Sequence, residues 1–152
     1  EFRRVLFRSR GPWPSCDLSN FAAHSFVFDG IEIASMEGFL QALTYDNPKT
    51  QVSVCQLTGI AAKNKGTPRR EHWQKQQSLW WKGCQISRHS IEYKRLLWKA
   101  YKAMYDQSEG FRKALHETDG KTLTHVIGSH DPNYTILTER EFCMILMRLR
   151  DS

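Results

Sequence analysis

The order of apolar and polar residues divides this chain of 152 residues into short elements. Between residues 16 and 34 apolar and polar positions alternate. Asp29-Gly30 stands between the β-prone runs "FVF" and "IEI", which predicts a hairpin. From Ser35 the period changes. Ser35 is a good N-cap, and Phe39, Leu40 and Leu43 follow at helical spacing, so a helix is expected to about Tyr45, where Asn47-Pro48 stops it. A second helix is expected over about 49–64, with Gly66 after its end. Thr67-Pro68 predicts the start of a third, which would carry Trp73, Gln77 and Trp80 on one face together with Trp81 until "KGCQI" breaks it.

The strongest periodicity follows Ser90, where Tyr93, Leu97, Ala100, Tyr101 and Met104 repeat on one face. Ser108 predicts the cap of a short helix with Phe111 and Leu115, ended by Asp119-Gly120. Residues 121–137 read as extended and looped. Thr138 and Glu141 have capping-box spacing, and "FCMILMRLR" completes a last helix with Arg148 and Arg150 near its negative end. The expected fold is α+β: one mainly α-helical domain over residues 16–152, with a small antiparallel β element near its start.

Composition adds limits. No apolar run is long enough to span a bilayer, no secretory leader is visible, and Cys16, Cys55, Cys84 and Cys143 form no CxxC pair. These features fit a cytoplasmic protein with reduced thiols. The first nine residues, "EFRRVLFRS", are the in-frame reading of GAG TTC AGA CGT GTG CTC TTC CGA TCT, a common sequencing-library adapter. Residues 1–9 are therefore expected to be a translated adapter and are set apart from the fold. The alternative is a short basic targeting arm, and resequencing the source locus separates the two.

Arg3, Arg4 and Arg8 less Glu1 supply about a third of the net charge of +6. What remains is concentrated: ten lysines and arginines between residues 63 and 99 face only Glu71 and Glu92. Such a stretch suits phosphate or nucleic acid, or is simply a solvated helical face. No P-loop, GxGxxG, HExxH or GxSxG motif is present, and no histidine pair has metal spacing on one helix. No metal and no organic cofactor are expected.

Glu37 is the unusual residue. A glutamate in a first turn gains from the helix dipole, which favours its charged form. Its neighbours Met36, Phe39 and Leu40 are apolar, and Gly38 weakens a helix by about 1 kcal/mol against alanine. A carboxylate near apolar groups suits general acid–base work or the steadying of positive charge, and Gly38 would leave room for a ligand to approach. Trp73, Trp80 and Trp81 lie within the basic stretch. They either fill the core or stack on a base whose phosphate meets the cations.

The order "LSNF…DG…SMEGFLQA…AAK…REHW…LMRLR" resembles the NADAR family of YbiA-like N-glycosidases, across about residues 18–150. The most specific pieces are Ser19-Asn20-Phe21, Asp29-Gly30, and Ser35-x-Glu37 with Gln41-Ala42. The resemblance implies a small α+β fold and hydrolysis of the N-glycosidic bond of a ribosylated base. The substrate class would be a ribosylamino-pyrimidine of riboflavin synthesis or ADP-ribose on guanine. It also implies a nucleotide-like small molecule, or ADP-ribosylated guanine in nucleic acid, as the partner, with no membrane and no obligate protein partner.

By position, the resemblance implies Glu37 as the catalytic glutamate, Trp73 as a pocket tryptophan, Asn20 and Phe21 as the first strand-loop of the pocket, and Gln41 as its helix. Phe21 or Trp80 is the expected second stacking ring, and Arg70 or Lys63 the expected phosphate contact. Two departures stand out. Thr44 occupies a position that often carries lysine in the family, and "THVIGSHDPNYTIL" replaces an aromatic, glycine- and aspartate-rich loop. Both leave open a non-catalytic module that binds ADP-ribose or a nucleotide.

Overall fold

In the computed structural model of the protein, residues 4–7, 11–125 and 129–152 are described. The chain runs β1 (Arg4–Phe7), α1 (Ser15–Leu18), β2 (Phe26–Phe28), β3 (Ile31–Ile33), α2 (Met36–Ala42), α3 (Pro48–Cys55) and α4 (Gly59–Gly66). A 3-10 turn (Thr67–Arg69) then leads into α5 (Arg70–Gln76). There follow β4 (Ser78–Trp81), β5 (Cys84–Ser87), α6 (Ile91–Gln107), α7 (Glu109–His116), β6 (Thr122–His125) and α8 (Glu139–Asp151). Helices dominate, and the strands form three separate pairs: β2–β3 and β4–β5 antiparallel, and β1–β6 parallel. The expected α+β class holds. β1 falls within the segment read as adapter; the other residues of that segment lie outside the described residues.

Local signals set most helix starts. Ser35, Ser90 and Ser108 each accept a hydrogen bond from the backbone N–H three residues on, and Thr138 and Glu141 complete a full capping box. In the first hairpin Asp29 and Gly30 both take positive φ, 50° and 77°, as a two-residue turn of this kind requires. Val27 and Glu32 form the middle pair of that hairpin. The Gln107 side chain bonds both the N–H (2.7 Å) and the carbonyl (2.8 Å) of Val27, and Gln56 donates to the Glu32 carbonyl (2.9 Å).

Two expected helices are corrected. The helix expected over 49–64 is broken between Cys55 and Gly59. There the Cys55 carbonyl accepts from Ala34 N–H (2.8 Å) and the Leu57 carbonyl from Ser35 Oγ (2.8 Å). Those acceptors serve a neighbouring element instead of the next helical turn, and Gly59 turns the chain at φ 53°. The helix expected from residue 67 through the tryptophans stops at Gln76. Gln77 takes a left-handed cap (φ 53°), and Ser78–Trp81 pairs with Cys84–Ser87 around a Lys82-Gly83 turn. Trp80 is therefore a strand residue and does not share a helical face with Trp73.

The core gathers Phe26, Ile33, Met36, Phe39 and Leu40 with the inner stripe of α6 and with Phe142, Leu146 and Leu149 of α8. Burial of this apolar surface is the main stabilising term. Gly38 sits where α2 crosses the end of α3. A Cβ there would lie 2.7 Å from the Leu57 carbonyl and 3.0 Å from that of Val54. The room expected for a ligand is thus filled by backbone. Gly38→Ala should lower stability by about 1–3 kcal/mol, because overpacking against rigid carbonyls outweighs the better helix propensity of alanine. A urea melt checks this, and equal or greater stability would refute the contact.

Candidate functional site

Glu37 is a first-turn residue of a seven-residue helix in which the N–H groups of Glu37 and Gly38 already have partners. Glu37 N–H donates to the Asn20 carbonyl (3.0 Å), Gly38 N–H to Ser35 Oγ (3.1 Å) and Phe39 N–H to the Ser35 carbonyl (3.2 Å). The helix start therefore binds the Ser19–Phe21 loop rather than offering its donors to an anion. Met36, Phe39 and Leu40 are 0–2% exposed and point into the core. Glu37 and Gln41, four residues apart, form the opposite stripe, and the Gln41 amide donates to Glu37 Oε1 (2.9 Å).

Three further elements close around this stripe. From α6, the Tyr101 hydroxyl donates to Asn20 Oδ1 (2.7 Å). From α4, the Lys63 ammonium lies near enough to act on the Glu37 charge. The same helix ends at Gly66, where any Cβ would collide with the Gln41 amide, 1.6 Å from its Oε1. Phe21, half-buried, comes within 4.0 Å of where a Cβ of Gly59 would stand, at the start of α4. Asn20, Glu37, Gln41 and Lys63, four of the residues expected from sequence, are thus drawn to one place, and Phe21 follows Asn20 against the start of α4.

Burial pushes the Glu37 carboxyl above its ordinary value, and the Gln41 hydrogen bond and the Lys63 charge only partly oppose it. The sequence led to the opposite expectation, that the helix dipole would hold the group ionised. Enclosure by neighbouring elements outweighs the dipole of this short helix, whose first-turn N–H groups bond Asn20 and the Ser35 cap. Among the described residues no side chain hydrogen-bonds Oε2, so that oxygen is free to meet a ligand.

The other residues expected at the site have different surroundings. Trp73 and Trp80 are 3% and 8% exposed and belong to the core. Trp80 stacks on His72 at 5.6 Å, and its backbone N–H donates to the Leu43 carbonyl (2.9 Å). Neither ring keeps enough surface for a base to stack on, which corrects that expectation. Arg70 is exposed at the start of α5. Its neighbour Arg69 is the fixed one, with Nε on the Thr44 carbonyl (2.9 Å) and the guanidinium 5.2 Å over Tyr45.

Tyr101 is the residue that sequence reasoning missed. Its place on the apolar stripe of α6 marks it as core, and it is indeed fully buried. Only its hydroxyl distinguishes it from a phenylalanine. Burial, followed by the nearby Glu37 charge, keeps that hydroxyl protonated well beyond its ordinary range, so it remains a donor that fixes the Asn20 amide.

Comparison with known proteins supplies a family. The profile described as Bacteriophage protein GP30.3 matches residues 12–151. The chain is 43% identical over 146 residues to the "Uncharacterized 17.1 kDa protein in Gp30-rIII intergenic region" of Enterobacteria phage T4, covering 95% of each chain. Among solved structures it is similar to the NMR structure of the E. coli protein YbiA, with a TM-score of 0.66 and 18% identity, over 98% of this chain and 83% of that one. At that identity the likeness is one of fold, and it is the fold that the motif resemblance implied.

Proposed function

The chain belongs to the bacteriophage GP30.3 family and has a YbiA-like fold, and from that premise we propose that it is an N-glycosidase acting on a phosphate-bearing ribosylated base. The observation that carries this reading is the Glu37 cluster: an enclosed carboxylate with one oxygen held by Gln41, the other open, and the Lys63 charge beside it. In the proposed reaction water adds to the anomeric carbon and gives its proton to Glu37. The C–N bond breaks, its electron pair stays on the base nitrogen, and that nitrogen takes up a proton. A carboxylate also steadies the positive charge that builds on the sugar, as in O-glycoside hydrolysis.

A carboxyl whose proton is held above the ordinary range is better matched to base catalysis near neutral pH than a free one. Asn20 supplies an oriented amide, Phe21 an apolar wall, and Lys63 the charge nearest the carboxylate. The protein is placed in the cytoplasm on this reading, with ADP-ribosyl-guanine or a ribosylamino-pyrimidine as its substrate. The test is mass spectrometry of free base released from a panel of both substrate types. Release from neither would end the proposal.

A second reading is a module that binds such a ligand without cleaving it. Thr44 favours it: the position is buried, and its hydroxyl is spent on the Gln41 carbonyl (2.6 Å), so it offers no charged group. Binding of ADP-ribose with no release of base would decide for the module.

The enzyme reading makes a specific demand on pH. Turnover should rise with pH through a midpoint above the ordinary carboxylate range, as Glu37 loses its proton. Lys63 lowers that midpoint. Lys63→Met should therefore shift the rising limb of kcat/KM to higher pH. An unmoved limb would separate Lys63 from the carboxylate.

A further inference from the structure

Away from Glu37, a groove of about 700 Å³ runs between the first half of α6 and the outer face of α8. Its apolar surface comes from Leu97 and Trp98 on α6 and from Met144 and Ile145 on α8. On α8, Glu141, Met144, Ile145 and Arg148 recur at helical spacing and form one stripe about 10 Å long. Met144 is 55% exposed and leaves apolar surface open at the groove.

The groove is preformed. Arg88, 2% exposed, forks onto Glu141 at 2.7 and 3.2 Å and donates to the Thr135 carbonyl (2.9 Å). This pair neutralises Glu141, the one carboxylate among the lining residues. Lys94, Arg140 and Arg148 also line the groove and form no ion pair among the described residues. The groove therefore joins an apolar floor to a rim of three uncompensated cations.

That combination selects its occupant. The Arg148 guanidinium lies 4.2 Å over the Trp98 ring and occupies one face of the indole, which competes with stacking of a nucleobase there. A second copy of the chain, docked symmetrically, would bring like charges together. We propose that the groove docks a short acidic amphipathic helix of another protein. Its apolar side chains would lie on Met144 and Ile145, and its carboxylates on Lys94, Arg140 and Arg148. The mode is helix-in-groove recognition with electrostatic selection.

The probe is a labelled helical peptide of about 18 residues with leucine on one face and glutamate on the others. Fluorescence anisotropy should show saturable binding to the full chain that weakens as salt rises. The double reversal Arg140→Glu, Arg148→Glu should weaken it at least about tenfold, and Lys94→Glu, at a separate exposed position, should weaken it as well. Amide shifts in an NMR titration should fall on α6 and α8. The proposal is overturned by no binding, by equal binding of the lysine counterpart, or by indifference to Lys94→Glu. Tighter binding of a thymidine oligonucleotide at the same salt, or a dimer in sedimentation that excludes the peptide, would also overturn it. None of these outcomes depends on the Glu37 site.

Discussion

Glu37→Gln should leave the protein folded and able to bind ligand while lowering turnover by at least about a hundredfold, the scale for loss of a positioned acid–base group. Glutamine keeps the shape of the side chain and its carbonyl oxygen, so the Gln41 amide still has an acceptor at the position now 2.9 Å away. Backbone contacts with Asn20 do not involve the side chain. Enclosure opposes the charge on Glu37, so a neutral replacement relieves a cost and stability should not fall. What disappears is the ability to take a proton and the field on a cationic sugar. Thermal melting, ADP-ribose titration and base release on one preparation separate these effects. A folded variant with near-native turnover would remove Glu37 from the chemistry.

Trp73→Ala should destabilise the fold by about 3–5 kcal/mol. The indole is 3% exposed and belongs to the same core as Phe39, Leu79 and Trp80. α5 is only seven residues long and packs beside β4, so little else is available to refill the space. A urea melt should show a large fall in midpoint with an unchanged slope. The affinity of the folded fraction for ADP-ribose should be unaltered, since the ring offers a ligand almost no surface. A stable variant with weakened affinity would return Trp73 to the pocket.

What could be read from sequence was what adjacent residues decide among themselves. Ser35, Ser90, Ser108 and Thr138 cap helices through bonds made within four residues, and Asp29-Gly30 marks its turn by residue type. The break after Cys55 was not legible, because Ala34 and Ser35 take the carbonyls that would have continued the helix. β4 was hidden for a related reason. Ser78, Leu79, Trp80 and Trp81 are all buried, so no alternation of apolar and polar marks them as strand. Gln77 adopts a left-handed cap without being glycine, which removes the usual stop signal. In the site, Glu37 and Gln41 could be paired by their spacing. Tyr101 could not be joined to Asn20, because the contact spans 81 positions and rests on one hydroxyl.

The glutamine contacts to the first hairpin have a consequence for the protein in a crowded solution. In a two-stranded ribbon, the middle pair turns its backbone groups outward, where a foreign strand could use them as a template. Here Gln107 takes both groups of Val27 and Gln56 takes the Glu32 carbonyl. Each side-chain amide imitates the peptide unit of a neighbouring strand, on either flank of the ribbon. Edge-to-edge addition is opposed on both flanks without a proline or a third strand, by side-chain amides and, on one flank, by the exposed Glu32 carboxylate, although Val27 stays half exposed.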